Sequence, residues 1–373
     1  MARITSANAF MVDLEPKVVR TDAIQSFNSQ ETIFVVLRDA DDGAKGMGYS
    51  YTIGDGGPAI LSLLKETLLP RLMGQDADRI EAIWRDLLFC SHATAVGPIM
   101  SLALAAIDTA LWDMRGVKTG LPLHILAGGA KSSVPMYTTE GGWLHLSPDA
   151  LVEDAIASKE AGFLGSKVKI GKPTVAQDCE RLEAVRNALG DDYEIMTDAN
   201  QSMTSGEAKR RLPMLERLNI AWFEEPLPAD DIAGHARLQS QSRVPVAVGE
   251  SMYSPGQFAD YIAQDACEIV QADVARVGGI TPWLKVAHLA EAHNIAICPH
   301  FLMELHVSLV CAVPNAPWLE YIPQLEDIAA PMAREGGNAL APMTPGLGIE
   351  WDHDKLAALT VAGSAFEITE AHQ

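Results

Sequence analysis

From position 134 onward the chain falls into a repeating pattern. Short apolar, β-branched runs alternate with longer stretches whose apolar positions recur every three or four residues. The short runs cover 134–138, 166–170, 194–198, 221–225, 244–249, 268–272, 295–299 and 318–321, and their length and composition predict buried strands. Helical patterns lie between them. In 148–161, Ser147 stands at the N-cap, Pro148 opens the helix, and Leu151, Val152, Ala155 and Ile156 form one apolar stripe that Gly162 terminates. The segment 177–189 is closed in the same way by Gly190. Eight strands alternating with helices predict an α/β fold of the (β/α)8, TIM-barrel type. An open doubly wound sheet is the structural rival, but no Gly-x-Gly-x-x-Gly turn follows any of the runs.

The part before the repeat has another rhythm. Runs at 33–37 and 46–53 predict two strands, with Asp41-Asp42-Gly43 as the hairpin turn between them. Helical patterns follow at 58–69, 77–88 and 98–115, the last stopped by Gly116. Strands followed by helices predict an N-terminal α+β capping domain over 1–125, ahead of a barrel over 126–325. The remainder, 326–373, carries Gly336-Gly337 and Pro345-Gly346-Leu347-Gly348 and is expected to pack back on the capping domain. The most apolar stretch, 96–112, is interrupted by Asp108, so it reads as a buried helix rather than a membrane span.

Charge narrows the partners. With 28 Lys+Arg against 49 Asp+Glu the net charge is −21, which argues against nucleic acid or an anionic membrane surface. Five cysteines at irregular spacing with no CxxC pair, and no cationic and apolar leader in 1–13, lead us to expect a reduced, cytoplasmic protein. An anionic substrate would then need its positive charge concentrated locally.

The C-terminal ends of barrel strands line the active site in such folds. Here those ends carry Lys167 and Lys169, Asp198 with Asn200, Glu224, Glu250, Asp273, His300 and Glu320. From Lys169 onward the steps run from 20 residues (300 to 320) to 29 (169 to 198), each the length of one βα unit. Taken singly, each acid would read as a helix cap or the partner of a basic neighbour. Asp198, Glu224 and Glu250 instead follow one another at steps of 26 residues on consecutive strands. Three converging carboxylates repel unless a cation lies between them, and an all-oxygen ligand set selects a hard ion such as Mg2+. Lys167 and Lys169 flank Val168, so both ammonium groups point to one face of a buried strand. A lysine beside a second cation and a metal ion is expected to have a depressed pKa and to serve as a base. Asp273 and His300 occupy adjacent strand ends, where a carboxylate orients an imidazole and raises its basicity. A metal-dependent hydrolase on the same barrel would want a His-x-His pair and several histidine ligands, and the strand ends offer one histidine.

With these residues in place the chain resembles the enolase superfamily and, within it, the mandelate racemase subgroup, over essentially its whole length. The motif is Lys167-x-Lys169, Asp198, Glu224, Glu250, the Asp273/His300 dyad and Glu320; a lysine or histidine base working with Mg2+ is a known pairing of that superfamily. The resemblance implies Mg2+-dependent removal of the proton alpha to a carboxylate, with Lys169 on one side of the α-carbon and His300 on the other. It also implies that Lys167 and Glu320 contact the substrate carboxylate, Glu320 in its protonated form. Arg276 stands where lysine-paired relatives of the muconate cycloisomerase type carry a second catalytic lysine, which argues against their chemistry. The segments Tyr137-x-Thr139-x-Gly141-Gly142-Trp143-Leu144-His145 and Pro299-His300-Phe301-Leu302-Met303-Glu304-Leu305-His306 are similar to those of talarate/galactarate dehydratases. That likeness implies an acid-sugar dehydratase acting on an aldarate. Asn200, Thr139, Lys17 and Arg20 are the expected substrate contacts, the last two in a polar stretch of the capping domain that would cover the mouth. A mandelate-type racemase or acid-sugar epimerase is the alternative among enzymes. A non-catalytic carboxylate-binding homologue is the alternative outside them, and the intact set of acids and bases speaks against it. The family likeness further implies a homo-oligomer.

Overall fold

The computed structural model describes residues 3–40, 43–95 and 97–370. Two of the three residues expected to form the hairpin turn, Asp41 and Asp42, lie outside them, as does Val96 at the start of the apolar stretch. The chain opens with β1 (Ile4–Leu14), a small hairpin β2 (Arg20–Thr21) and β3 (Ser26–Phe27), then β4 (Gln30–Asp39) and β5 (Lys45–Ile53). The strands β1, β4 and β5 form an antiparallel sheet. The helices α1 (Gly57–Leu63), α2 (Ile80–Cys90) and α3 (Pro98–Thr119) follow. The single helix expected over 58–69 is broken: α1 passes into a π-helical turn, Leu64–Leu68, and a 3-10 turn, Leu69–Leu72. Pro70 in the latter cannot donate to the preceding turn, which accounts for the tightening there.

After a short α4 (Leu123–Leu126), the repeat runs β6 (Ser133–Thr138), α5 (Pro148–Glu160), β7 (Gly165–Lys169), α6 (Val175–Leu189), β8 (Glu194–Asp198) and α7 (Ser205–Arg217). It continues through β9 (Phe223–Glu224), α8 (Ile232–Gln239), β10 (Val246–Val248), α9 (Pro255–Ala263), β11 (Ile269–Val270), α10 (Ile280–Ala292), β12 (Ala296–Ile297), α11 (Met303–Ala312) and β13 (Leu319–Tyr321). The strands β6 to β12 pair in parallel, each with the next, and β13 returns to pair in parallel with β6. This is the expected enolase-like (β/α)8 architecture. The register aligns Lys169 with Asp198 and Asp198 with Glu224, so three site residues stand side by side across three strands. Beneath them Tyr137, Met196, Trp222, Ala247 and Cys298 form a small apolar cluster contributed by five barrel strands or their immediate flanks.

The chain ends with β14 (Arg334–Glu335), β15 (Asn338–Leu340), α12 (His353–Leu359) and β16 (Phe366–Thr369). The last strand pairs antiparallel with β1, and Trp351 meets Phe34 and Tyr49 edge-on at ring-centroid distances of 5.1 and 5.3 Å. The small hairpin β2–β3 lies against the barrel: Leu144 N–H donates to Thr21 O at 3.0 Å, and Phe27 packs on Trp143. None of the helices among the described residues is long and apolar enough to cross a membrane.

Candidate active site

Asp198 and Glu224 end their strands, and Glu250 lies two residues beyond β10; all three are buried. Each offers an oxygen within 4.8 Å of the others. Glu224 accepts from Lys167 Nζ at 2.9 Å, from Gln271 Nε2 at 2.7 Å and from Trp222 Nε1 at 3.1 Å. Burial, together with Asp198 beside it, still pushes the Glu224 carboxyl up to about 7. Three buried oxygen donors with that much uncompensated negative charge fit a hard divalent cation. Asp198, Glu224 and Glu250 are the residues that would hold it.

Lys167 bridges the acids, with Nζ 2.8 Å from Glu320 Oε1 and 3.7 Å from Asp198 Oδ2. Lys169 Nζ donates to Asp198 Oδ2 at 2.5 Å and to Asn200 Oδ1 at 3.0 Å. Asn200 holds a left-handed backbone (φ 43°), and its N–H donates to Asp198 Oδ1. Burial alone would lower both lysines, yet the carboxylates around them win: both are raised, Lys167 mainly by Glu224 and Glu320, Lys169 mainly by Asp198. The depression expected from the sequence is therefore not produced by the protein groups. A cation held by Asp198 would offset that carboxylate's charge and so remove the largest cause of the rise.

His300 Nδ1 lies 2.9 Å from Asp273 Oδ2. A carboxylate only accepts, so Nδ1 carries the hydrogen and Nε2, 3.4 Å from Glu250 Oε2, faces the acids. Burial opposes the charged forms of both. Hydrogen bonding to His300 nevertheless brings Asp273 down to about 2, and Glu250 and Asp273 raise His300. Arg276 reaches Glu250 O at 2.9 Å and Tyr51 Oη at 3.2 Å.

Glu320 corrects one expectation. Thr139 Oγ1 at 2.5 Å and Lys167 Nζ reach its Oε1, and Phe301 N–H reaches its Oε2 at 2.8 Å. Donors on both oxygens, with Lys167 and His300 drawing its pKa below the usual range despite burial, favour the ionised form of Glu320 over the protonated form expected from the sequence.

Lys17 and Arg20 stand apart from this layer. They line a cavity of about 280 Å3 at the lip formed by the residues after β6 and β13. Each already has partners: exposed Lys17 pairs with Asp327 at 2.9 Å, and buried Arg20 pairs with Glu140 and donates to Gln324 Oε1 and Pro323 O. The structure also adds polar groups that were not singled out as site residues. Gln271 directly follows β11, two residues before Asp273, and its Nε2 donates to Glu224. Asp22 caps the hairpin turn through Oδ1, while its Oδ2 is buried, has no hydrogen-bond partner among the described residues and feels Lys169. Tyr51 donates to Asp273 Oδ2 at 2.6 Å from a different sheet, and nothing in the sequence pointed there.

Around the mouth, Asp198, Glu224 and Glu250, at the ends of β8 to β10, separate Lys169 from His300 on one side, and Thr139 and Glu320 separate them on the other.

A family described as Enolase C-terminal domain-like matches residues 150–355, and the Mandelate racemase / muconate lactonizing enzyme, N-terminal domain matches residues 8–128. The chain is 40% identical over 287 residues to an L-talarate/galactarate dehydratase of Salmonella typhimurium, covering 77% of this chain and 72% of the relative. It is 35% identical over 334 residues to a 3,6-anhydro-alpha-L-galactonate cycloisomerase of Streptomyces coelicolor, covering 89% and 92%. Among solved structures it superposes with a TM-score of 0.94 at 34% identity, over 99% of this chain and 95% of the other, on the Salmonella L-talarate/galactarate dehydratase liganded with Mg and L-lyxarohydroxamate. Mg2+ is the cofactor of this site.

Proposed function

This chain belongs to the mandelate racemase / muconate lactonizing enzyme family of the enolase superfamily and is an enzyme, and on that premise we propose that it dehydrates acid sugars, an aldarate such as galactarate or L-talarate foremost. The observation that carries the reading is the complete His300–Asp273 pair, its Nε2 facing the acid layer that Lys169 enters from another strand.

The bound cation supplies a Lewis acid that stabilises the second negative charge developing on the substrate carboxylate. Lys167 supports that carboxylate with its ammonium group, itself held in place by the ionised Glu320 and by Glu224. Lys169, in its neutral form, takes the α-proton at Nζ. His300, protonated at Nε2, gives that proton to the departing β-hydroxyl, which leaves as water. The resulting enol tautomerises to a 2-keto-3-deoxy acid. Asp273 holds the imidazole with Nε2 toward the substrate throughout. Asn200 fixes Lys169, and Thr139 fixes Glu320. Lys17 and Arg20 sit further out, where the distal end of a long substrate would lie. In keeping with five free thiols, this reading places the enzyme in a reducing cytoplasm. It works there as a homo-oligomer.

A 1,1-proton transfer is the second reading, favoured by the two bases approaching from different sides. Incubation with Mg2+ in D2O against a panel of aldonic and aldaric acids separates the two. Semicarbazide-detectable keto acid marks dehydration. Deuterium at the α-carbon without keto acid marks epimerisation, and inertness toward every acid sugar sinks both.

A further inference from the structure

Tyr51 comes from the middle of β5, on the antiparallel sheet that precedes the barrel, yet it is 2% exposed and sits among barrel residues. Its hydroxyl donates at 2.6 Å to Asp273 Oδ2, the same oxygen that receives His300 Nδ1. Arg276 Nε donates to that hydroxyl in turn and links it to Glu250 through Nη1. Asp273 Oδ1 is taken by the N–H groups of Ala275 and Arg276. Every acceptor position on Asp273 that could let the carboxylate swing is thus held, and Tyr51 holds the one shared with the imidazole.

The ring does a second job. Tyr51 stacks on Phe301 at 4.6 Å, and Phe301 stacks on His300 at 5.2 Å, so the imidazole is the third member of a stack that begins on the other sheet. Phe301 and Leu302 are consecutive non-glycine residues in the left-handed region, with φ of 62° and 34°. Such a turn is strained and persists where its surroundings over-determine it. Tyr51 supplies one side of that enclosure.

We propose that Tyr51 is a positioning residue for the His300–Asp273 pair, fixing Asp273 Oδ2 by its hydroxyl and clamping the Phe301–Leu302 turn by its ring, so that docking of the N-terminal sheet sets the direction of the imidazole. This rests on the dyad acting in the reaction proposed above.

Tyr51→Phe removes the hydroxyl and keeps the stack. With galactarate as probe, kcat falls by about 10- to 100-fold, the usual effect of deleting an orienting partner. KM and Mg2+ affinity stay at parent values, and the His300 imidazole Nδ1–H resonance shifts in 15N-histidine-labelled protein. A parent-like kcat, a loss of Mg2+ affinity matching the loss of activity, or an unmoved His300 resonance overturns the proposal. If the parent enzyme is inert with every acid sugar, the dehydratase reading fails on its own. The imidazole resonance then decides the role of Tyr51 by itself.

Discussion

Glu224 receives three side-chain hydrogen bonds and still stands near Asp198 with charge left over. Removing it takes away one of the three carboxylates that would hold the cation, together with the acceptor of Trp222 and Gln271. Glu224→Ala should weaken Mg2+ binding by at least about 10-fold, read by calorimetry, and an unchanged affinity would remove it from the ligand set. His300 is a different case, because its bonds to Asp273 and its stack on Phe301 serve direction rather than charge balance. His300→Asn should abolish formation of keto acid while leaving Mg2+ affinity intact; turnover at the parent rate would take the dyad out of the mechanism. At this scale the residue types and their spacing were legible in the sequence, since each lies just after an apolar run. Protonation was not. The preference of Glu320 for its ionised form comes from three donors brought by Thr139, Lys167 and Phe301, which lie on three different segments.

The elements show why some boundaries were readable and others were not. The runs at 221–225 and 268–272 shrink to two-residue strands, Phe223–Glu224 and Ile269–Val270. At their C-terminal ends the backbone loses regular strand geometry while still bonding to its neighbours: Glu225, with φ 38°, donates its N–H to Ala247 O at 2.9 Å. The longest strand, β1, was not anticipated. Its burial does not alternate, because residues on both faces are covered, and β16 comes from the far end of the chain. The β5–α3 contact depends on missing side chains: a Cβ at Gly48 would lie 2.2 Å from Ala110 N, and one at Gly46 2.1 Å from Ala110 O. Gly48→Ala should destabilise the fold by about 3 kcal/mol, the upper part of the overpacking range. A denaturant midpoint equal to the parent's would show that the two elements can separate freely.

Across the molecule, Asp108 joins the N-terminal helices to the barrel. It interrupts the apolar face of α3, and its Oδ2 accepts from Thr281 N–H at 2.9 Å, capping α10, whose own N-cap is Gly279. Trp84 Nε1 on Gly278 O and Ser101 Oγ on Tyr253 O add to the same junction. Burial pushes Asp108 from 3.8 up to about 7. Between those values the folded state binds a proton that the unfolded chain has released, so raising the pH through this window favours unfolding. The stabilisation is present below pH ~4, lost by pH ~7, and worth up to about 4 kcal/mol at 1.4 kcal/mol per unit. Asp108→Asn mimics the protonated acid, so its melting temperature should fall less than the parent's between pH 5 and pH 7.5. Equal slopes would show that Asp108 does not titrate there.

The sequence by itself pointed to the barrel, the order of its strands and the set of ionisable residues that meet at its mouth. Period and spacing are local properties, and a strand end fixes where its side chain goes. Its net charge of −21 argues against polyanionic partners but has no say over a small dicarboxylate, whose field would be set within a few ångströms by a bound ion and by Lys167. Only the tertiary structure decided which donors surround Glu320, that Arg20 and Lys17 are already paired, and that Tyr51 closes on Asp273 across 222 positions of chain. Those depend on which groups meet at hydrogen-bond distance, and spacing along one chain says nothing of a partner carried on another sheet.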